Sequence, residues 1–245
     1  RRSLIYGARD GTHIWAFSPT GSAWADTHQA LTYTDIAQGL VHSKDDVLYI
    51  PYYDNAGAAG AKSFIAKNNN GSWTTTALTL PDHLIPSALA EYGNYLAIGC
   101  RAADGGLSKV YLWDRDSSLS TISESADFPP DVYAMGELDG ELIAVSVHNI
   151  FLAANLTQKI VFSRFTSAGA QIIRELLLSG NNAELKNFQK INNRLFFDLT
   201  AADPDGNAYH GIWSIGRNSI NDPFELIFHY LPNNDTAVTD VQGFA

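Results

Sequence analysis

The chain has 245 residues, of which 45% are hydrophobic, 11% aromatic and 17% charged, and its formal net charge is -10. This acidic balance lacks the positive footprint that nucleic-acid binding requires, and it disfavours anionic membrane surfaces. No apolar run approaches the roughly 18 residues of a membrane-spanning helix. We therefore expect neither a nucleic-acid partner nor membrane insertion.

The single cysteine, Cys100, excludes an intrachain disulfide and a multi-cysteine metal site. It lies within an apolar run, so we expect a buried and unreactive thiol. The chain does not begin with methionine, and we expect it to be processed, trimmed or part of a longer protein.

One local pattern, a tight turn followed by an apolar strand, recurs about every 50 residues along the chain. The turns are Asp45-Asp46, Gly93-Asn94, Asp139-Gly140 and Asn192-Asn193. A second marker, an apolar position in the following strand, repeats with a similar spacing at Phe64, Val110, Val161 and Ile212. A period of this size, built from turn residues and β-branched, aromatic and aliphatic runs, is typical of the blades of a β-propeller.

In chain order, the first unit (1–31) has three predicted strands, with a hairpin signal at Asp10-Gly11 between the first two. Each of the next four units has four predicted strands, and these units span 35–80, 86–125, 131–178 and 184–230. Long loops are expected between the second and third strands of a unit, including 148–159. Prolines close the units at Pro81, Pro129-Pro130 and Pro232.

The last residues, 237–245, look like the strand that the first unit lacks. Thr239-Asp240-Val241 parallels Thr34-Asp35-Ile36, which begins the second unit. Pairing of 237–245 with the first unit would leave no open sheet edge at the seam. The sequence thus predicts a single all-β domain over 1–245, a five-bladed β-propeller of four-stranded antiparallel blades closed by the C-terminal strand. An excerpt from a six- or seven-bladed ring is the alternative.

Two turns resemble degenerate Asp-boxes, a turn motif of sialidases and other propellers, although the Asp itself is missing in both. They are Ser18-Pro19-Thr20-Gly21-Ser22-Ala23-Trp24 and Asn69-Asn70-Gly71-Ser72-Trp73. Such turns pin a hairpin with a buried tryptophan, so this resemblance implies the propeller superfold and no catalytic residue.

Two strand phrases are similar to strands in propeller modules of uncharacterised tailed-phage virion proteins. The phrases are Ser108-Lys109-Val110-Tyr111-Leu112-Trp113-Asp114 and Gly211-Ile212-Trp213-Ser214-Ile215-Gly216-Arg217-Asn218. This resemblance implies a structural or receptor-facing module associated with a tail or fibre, with no catalytic residues to transfer.

Acidic residues precede the innermost strands of four units, with Ile85 at the equivalent place in the remaining one. They are Asp35, Asp131, Glu184 and Asp240. In a propeller these positions open on the face that usually carries function, so the four carboxylates are predicted to ring the mouth of the central channel. Such a ring suits a hard cation such as Ca²⁺, or an acid/base set. Solvated side chains that deter wrong edge pairing are the alternative. The other inner-strand acids, Glu91 and Glu137, are expected at the far ends of their strands.

Asp203 and Asp205 have the every-second-residue spacing of the oxygen ligands in half of a calcium-binding loop, but the distal bidentate glutamate is missing. Turn-forming residues at a hairpin tip explain the same sequence. The seven histidines show no metal-ligand spacing, so calcium is the one cofactor that the sequence admits.

Taken together, these features favour a scaffold or binding module that is not an enzyme, in a virion or extracellular assembly. Its expected partners are other protein chains of that assembly, and a glycan or cell-surface receptor. A lectin-like propeller that binds glycans stays open as an alternative. So does a five-bladed glycoside hydrolase, for which two channel carboxylates about 5 to 9 Å apart would suffice.

Overall fold

The structure is a computed structural model, and it describes the backbone of residues 5–8, 13–18, 23–31, 35–36, 41–42, 47–54, 62–103, 108–116, 119–123, 132–152, 155–166, 169–179, 184–202 and 208–230. Every regular element within these ranges is a β-strand. The strands are β1 (Ile5–Ala8), β2 (His13–Ser18), β3 (Ala23–Ala30), β4 (Asp35–Ile36), β5 (Val41–His42), β6 (Val47–Tyr53), β7 (Ser63–Asn69), β8 (Ser72–Thr79), β9 (Leu84–Tyr92), β10 (Tyr95–Ala102), β11 (Lys109–Trp113), β12 (Leu119–Ser123), β13 (Val132–Leu138), β14 (Glu141–Leu152), β15 (Asn155–Thr166), β16 (Gly169–Ser179), β17 (Glu184–Ile191), β18 (Arg194–Ala202), β19 (Ala208–Gly216) and β20 (Glu225–Tyr230).

These strands form five antiparallel sheets, each built from strands that are consecutive in the sequence. Sheet 1 has the order β1-β2-β3, and sheet 2 has the order β4-β6-β7-β8, with β5 also paired to β6. Sheets 3, 4 and 5 are four-stranded, formed by β9 to β12, β13 to β16 and β17 to β20. The prediction of an all-β chain with one sheet for each repeat is therefore confirmed. Within the described ranges no helix has the length and apolarity needed to cross a membrane.

The predicted turns between innermost and second strands are present in sheets 3, 4 and 5. Gly93, Asp139, Gly140 and Asn192 all have a positive φ, between 52° and 78°. Glycine reaches this left-handed region without a Cβ clash, and Asn and Asp reach it more readily than other residues do. The repeated turn signal is therefore a conformational requirement of the hairpin in these three sheets, which is why it recurs there.

The predicted long loop over 148–159 is wrong, because these residues continue the ladder of sheet 4. His148 pairs with Lys159, and the pairing runs on to Leu152 opposite Asn155. The segment carries Ile150, Phe151 and other residues that favour strands, so the hairpin simply extends. Sheet 4 is consequently longer than sheets 3 and 5 at this end.

Consecutive sheets pack face to face through apolar clusters. Sheets 2 and 3 share the cluster of Tyr49, Ile65, Leu96, Ile98 and Trp113. Sheets 3 and 4 share Ala97, Val110, Val132, Leu142 and Phe165. Sheets 4 and 5 share Val145, Phe162, Leu195, Phe197 and Ile215. Sheets 3 and 4 are therefore covered on both faces, which is why their central strands are apolar at nearly every position.

The innermost strands lie side by side as a result of this packing, since β13 contacts both β9 and β17. Two glycines permit the close approach of the sheets. A Cβ on Gly99 would lie 2.8 Å from Val132 Cγ1, and one on Gly136 would lie 2.6 Å from Leu195 Cδ2. The described sheets thus have the arrangement of propeller blades around an axis.

The predicted closing strand, 237–245, lies outside the described residues. Its pairing with sheet 1, and with it the number of blades, stays a prediction.

Substitution of Gly216 tests how tightly the end of sheet 5 is packed. A Cβ there would lie 2.5 Å from the carbonyl oxygen of Asn193 and 3.0 Å from Arg194 Cα, and neither backbone atom can rotate away. We expect Gly216→Ala to lower the free energy of unfolding by about 1 to 3 kcal/mol, measured by urea denaturation. Gly93→Asn is the control, since Asn tolerates the positive φ and no atom lies within 4 Å of the added Cβ. Equal stabilities of the two variants would contradict the packing.

Labelling of Cys100 tests whether sheets 2 and 3 stay packed together. Cys100 lies fully buried in β10, and burial raises the pKa of its thiol well above the usual range. The expected burial is confirmed, and the lack of reactivity stays a prediction. We predict no reaction with Ellman's reagent in the native protein at pH 8, and full reaction in denaturant, because the thiolate is the reactive form. Thr74→Cys, at an exposed position of β8, is expected to react at once. Equally fast labelling of native Cys100 would show that sheets 2 and 3 separate.

Candidate functional site

Two of the four predicted carboxylate residues lie where the sequence places them, at the start of innermost strands. Glu184 is the first residue of β17 and pairs with Thr200, and Asp35 is the first residue of β4 and pairs with Tyr53. Both therefore lie at the end of the sheets where the second strands finish, which we call the site end. Asp131, which directly precedes β13, and Asp240 lie outside the described residues. The ring of four stays a prediction.

The metal site also stays a prediction. Asp203 and Asp205, the candidates in the hairpin between β18 and β19, lie outside the described residues. Among the residues that the structure does describe, no group of three or more His, Cys, Asp or Glu side chains is arranged to hold a metal ion.

Each innermost strand of sheets 3, 4 and 5 carries a β-bulge near the site end. In β9, Pro86 faces Cys100 while Ala88 faces Gly99, so Ser87 is an extra residue. In β13, Val132 faces Ser146 while Ala134 faces Val145, so Tyr133 is extra.

In β17 the register shifts between Lys186 and Gln189. Ser87 and Tyr133 lie at the same distance from the turns that follow them. Bulges are frequent beside binding sites, because they re-aim a side chain and leave backbone groups outside the ladder.

Tyr133 is the side chain that this irregularity exposes. Its own exposure is 45%, whereas its neighbours Val132 and Ala134 are 0% and 5% exposed. Sequence reasoning missed this residue, although a tyrosine two residues after Asp131, at the start of an innermost strand, was a usable signal.

The opposite end of the sheets, where the hairpin turns lie, is occupied by ion pairs. Arg217 is only 4% exposed, and its guanidinium contacts Asp139 at 2.9 Å and Glu141 at 3.0 Å across the boundary between sheets 5 and 4. The same guanidinium lies 4.6 Å from the centroid of the Phe224 ring, and Arg164 also reaches Glu141. This cluster fixes one sheet to the next.

Glu91 and Glu137 lie at this turn end, as predicted. Glu91 pairs with Arg115, whose Nη1 donates to the carbonyl oxygen of Asn94 at 2.7 Å. Glu137 accepts a hydrogen bond from the Gly93 amide at 3.1 Å. Both carboxylates therefore brace hairpin turns of sheet 3.

The contact between Ser214 and His229 resembles a catalytic serine–histidine pair. Ser214 Oγ lies 2.6 Å from His229 Nε2, but Arg194 Nε donates to the same oxygen at 2.7 Å. Ser214 has no exposed surface. Burial lowers the pKa of Arg194, and the Glu225 carboxylate opposes that shift. Because no substrate reaches a fully buried hydroxyl, this group joins β18, β19 and β20 and is not a nucleophile.

The sheets and their packing define a β-propeller, and solved structures of that fold match the chain. No family model matches the sequence, and neither does any curated protein. The subtype N11 neuraminidase-like protein of A/flat-faced bat/Peru/033/2010 (H18N11) matches with a TM-score of 0.51 at 8% identity, over 88% of this chain and 69% of that chain.

A Trypanosoma rangeli sialidase, solved in complex with 2-keto-3-deoxy-D-glycero-D-galacto-2,3-difluoro-nononic acid, matches with a TM-score of 0.51 at 11% identity, over 84% of this chain and 36% of that one. A Dyadobacter fermentans protein of unknown function matches with a TM-score of 0.50 at 12% identity, over 87% of this chain and 67% of that one. Identities this low establish the shared fold and no more.

These neighbours correct the functional expectation drawn from the sequence. The non-catalytic virion scaffold, and with it the statement that the chain is not an enzyme, is wrong, because the solved structures that share the fold include a sialidase and a neuraminidase-like protein. No comparison supports the resemblance to tailed-phage virion proteins.

Removal of Arg217 tests the role assigned to the turn end. Arg217→Met leaves Asp139 and Glu141 without their buried partner, and we expect the free energy of unfolding to fall by about 2 to 3 kcal/mol. The expected loss of unfolding free energy is no larger than this because the Asp139 and Glu141 carboxylates both keep some exposed surface. Lys159→Met, which removes the exposed pair with Glu175, is the control and should cost less than about 1 kcal/mol. A loss for Arg217→Met no larger than the control's would refute a locking role.

Proposed function

We propose that this chain is a carbohydrate-binding β-propeller whose glycan site lies at the site end, around the starts of the innermost strands. The observation that carries the proposal is the shared fold with the Trypanosoma rangeli sialidase, which was solved with a difluoro-nononic acid bound. Propeller axes offer a concave surface with polar groups converging from several strands, which is the usual form of a small-molecule site.

The complete site requires the complete ring. In this proposal 237–245 pairs with sheet 1 to close a five-bladed propeller, which brings Asp240 beside Asp35, Asp131 and Glu184. Carboxylates accept charge-assisted hydrogen bonds from sugar hydroxyls, and these bonds are stronger than neutral ones. A Ca²⁺ ion held by the same oxygens is compatible with that arrangement.

Charge favours a neutral glycan over an acidic sugar. The chain has a net charge of -10, and the proposed site adds carboxylates. The described guanidinium groups of Arg115, Arg164 and Arg217 are engaged by carboxylates at the turn end. Arg101, at the end of β10 opposite Ile85, is a described guanidinium at the site end, so the preference for a neutral glycan rests on the net charge of -10 and the predicted carboxylates.

Glycoside hydrolysis is the second candidate, favoured by the sialidase among the neighbours. Two carboxylates about 5 to 9 Å apart are enough for retaining or inverting cleavage, with one acting as general acid. Asp35 and Glu184, which both begin innermost strands, are the residues we assign to this chemistry. An extracellular location, with a glycan or cell-surface receptor as partner, fits either function and is part of the proposal.

A glycan array with neutral and acidic oligosaccharides tests the proposal directly. We expect the wild type to bind neutral glycans, and Asp35→Asn and Glu184→Gln each to weaken binding about tenfold, since each loses a charge-assisted hydrogen bond. Glu137→Gln, at the turn end, is the matched control and should bind like wild type.

Hydrolysis is measured in parallel as the amount of reducing sugar that is released from each bound glycan. Loss of this release in Asp35→Asn or Glu184→Gln, with binding partly retained, would support the enzymatic candidate. Binding to acidic glycans alone would overturn the charge argument, and no binding to any glycan would overturn the proposed function.

A further inference from the structure

Tyr133 differs from the other exposed aromatic side chains because it lies on an innermost strand, β13. Sheet 4 is covered by sheet 3 on one face and by sheet 5 on the other, and β14 borders β13 along its length. Solvent therefore reaches β13 only along its free edge or from the site end. A tyrosine that is 45% exposed in this strand must open toward one of these two directions.

The β-bulge in β13 explains why the Tyr133 ring is exposed. Met135, two residues further along β13, is 7% exposed and packs between sheets 3 and 4. In a regular strand Tyr133 would share its face and its burial. As the extra residue opposite Ser146 and Val145, it is turned out of that pattern.

Polar groups accompany Tyr133 at the same level. Tyr133 is the extra residue of β13, and Ser87 is the extra residue of the neighbouring strand β9. The Ser87 hydroxyl donates to the carbonyl oxygen of Gly99 at 3.2 Å, so its oxygen still offers lone pairs. Asp131, one of the predicted carboxylates, is two residues before Tyr133.

We propose that Tyr133 is the platform on which one sugar ring of the glycan stacks, an inference that rests on the proposed function. A pyranose has an apolar C–H face and a rim of hydroxyls. The exposed aromatic ring suits the apolar face, and the Ser87 hydroxyl of the neighbouring strand, with the predicted carboxylate of Asp131, suits the rim of hydroxyls. The stacking residue for a neutral sugar is thus assigned to the bulge of β13.

The other strongly exposed aromatic side chains among the described residues do not fit this role. Tyr95, 41% exposed, begins β10 at the turn end. Phe228, 45% exposed, lies on the outermost strand of sheet 5, and its ring is 4.9 Å from that of Trp213. Tyr133 alone among these three lies on an innermost strand near the site end.

Calorimetry with four neutral disaccharides, lactose, maltose, cellobiose and xylobiose, tests the assignment. We expect at least one of them to bind the wild type, and Tyr133→Ala to weaken that binding about tenfold, as loss of an aromatic contact does. Tyr133→Phe keeps the ring and should bind like wild type. Tyr95→Ala removes an equally exposed tyrosine at the turn end and should also bind like wild type. The thermal midpoint of Tyr133→Ala should stay near that of the wild type, which separates lost contact from lost folding.

Ring-current shifts of the sugar protons in NMR spectra give a second measurement. Upfield shifts that are present with wild type and Tyr133→Phe, and lost with Tyr133→Ala, would support stacking even if the alanine variant is less stable. Unchanged affinity and unchanged shifts in Tyr133→Ala, with the wild type binding, would overturn this inference and leave the proposed function standing. A wild type that binds none of the four sugars, and no glycan on the array, would overturn both.

Discussion

Face-to-face packing of consecutive sheets is the constraint on which every other feature of this protein depends. Sheets 2, 3, 4 and 5 bury apolar side chains against one another in that order, and the glycines at 99 and 136 let the sheets approach without a Cβ between them. Only this packing brings β9, β13 and β17 side by side, so that residues distant in sequence meet around one axis. Any substitution that forces two sheets apart would therefore disperse the candidate site as well as weaken the core.

Charge is distributed differently at the two ends of the sheets. At the turn end, Arg217 and Arg115 are engaged by carboxylates and carbonyl oxygens, so charge there holds hairpins and neighbouring sheets together. At the site end, Glu184 and Asp35 begin innermost strands, and the ladder is interrupted by bulges. The described ion pairs thus hold hairpins and sheets together at one end, whereas the innermost strands depart from regular pairing nearer the other end.

The sequence predicts the sheets well because their signals are local. Turn residues such as Gly93 and Asp139 must adopt a positive φ, and apolar runs must be buried, so both can be recognised without knowing what packs against them. The bulge at Tyr133 and the ion pairs of Arg217 depend on the register between strands and on contacts between sheets, which no single stretch of sequence encodes. The same reason explains the error at 148–159, where strand-forming residues were expected to form a loop because loops are predicted at this place in the neighbouring repeats. The function was misjudged because short phrases were compared in place of the whole fold.

The extended hairpin of β14 and β15 makes the site end asymmetric. β14 has 12 residues whereas β10 has 8, so β14 extends about 13 Å further than β10 at about 3.3 Å per residue. Under the proposed function, an oligosaccharide bound beside this hairpin would contact the protein on the side of sheet 4. The two ends of the sugar chain would then meet different surroundings, so the protein could distinguish one orientation of the ligand from the other.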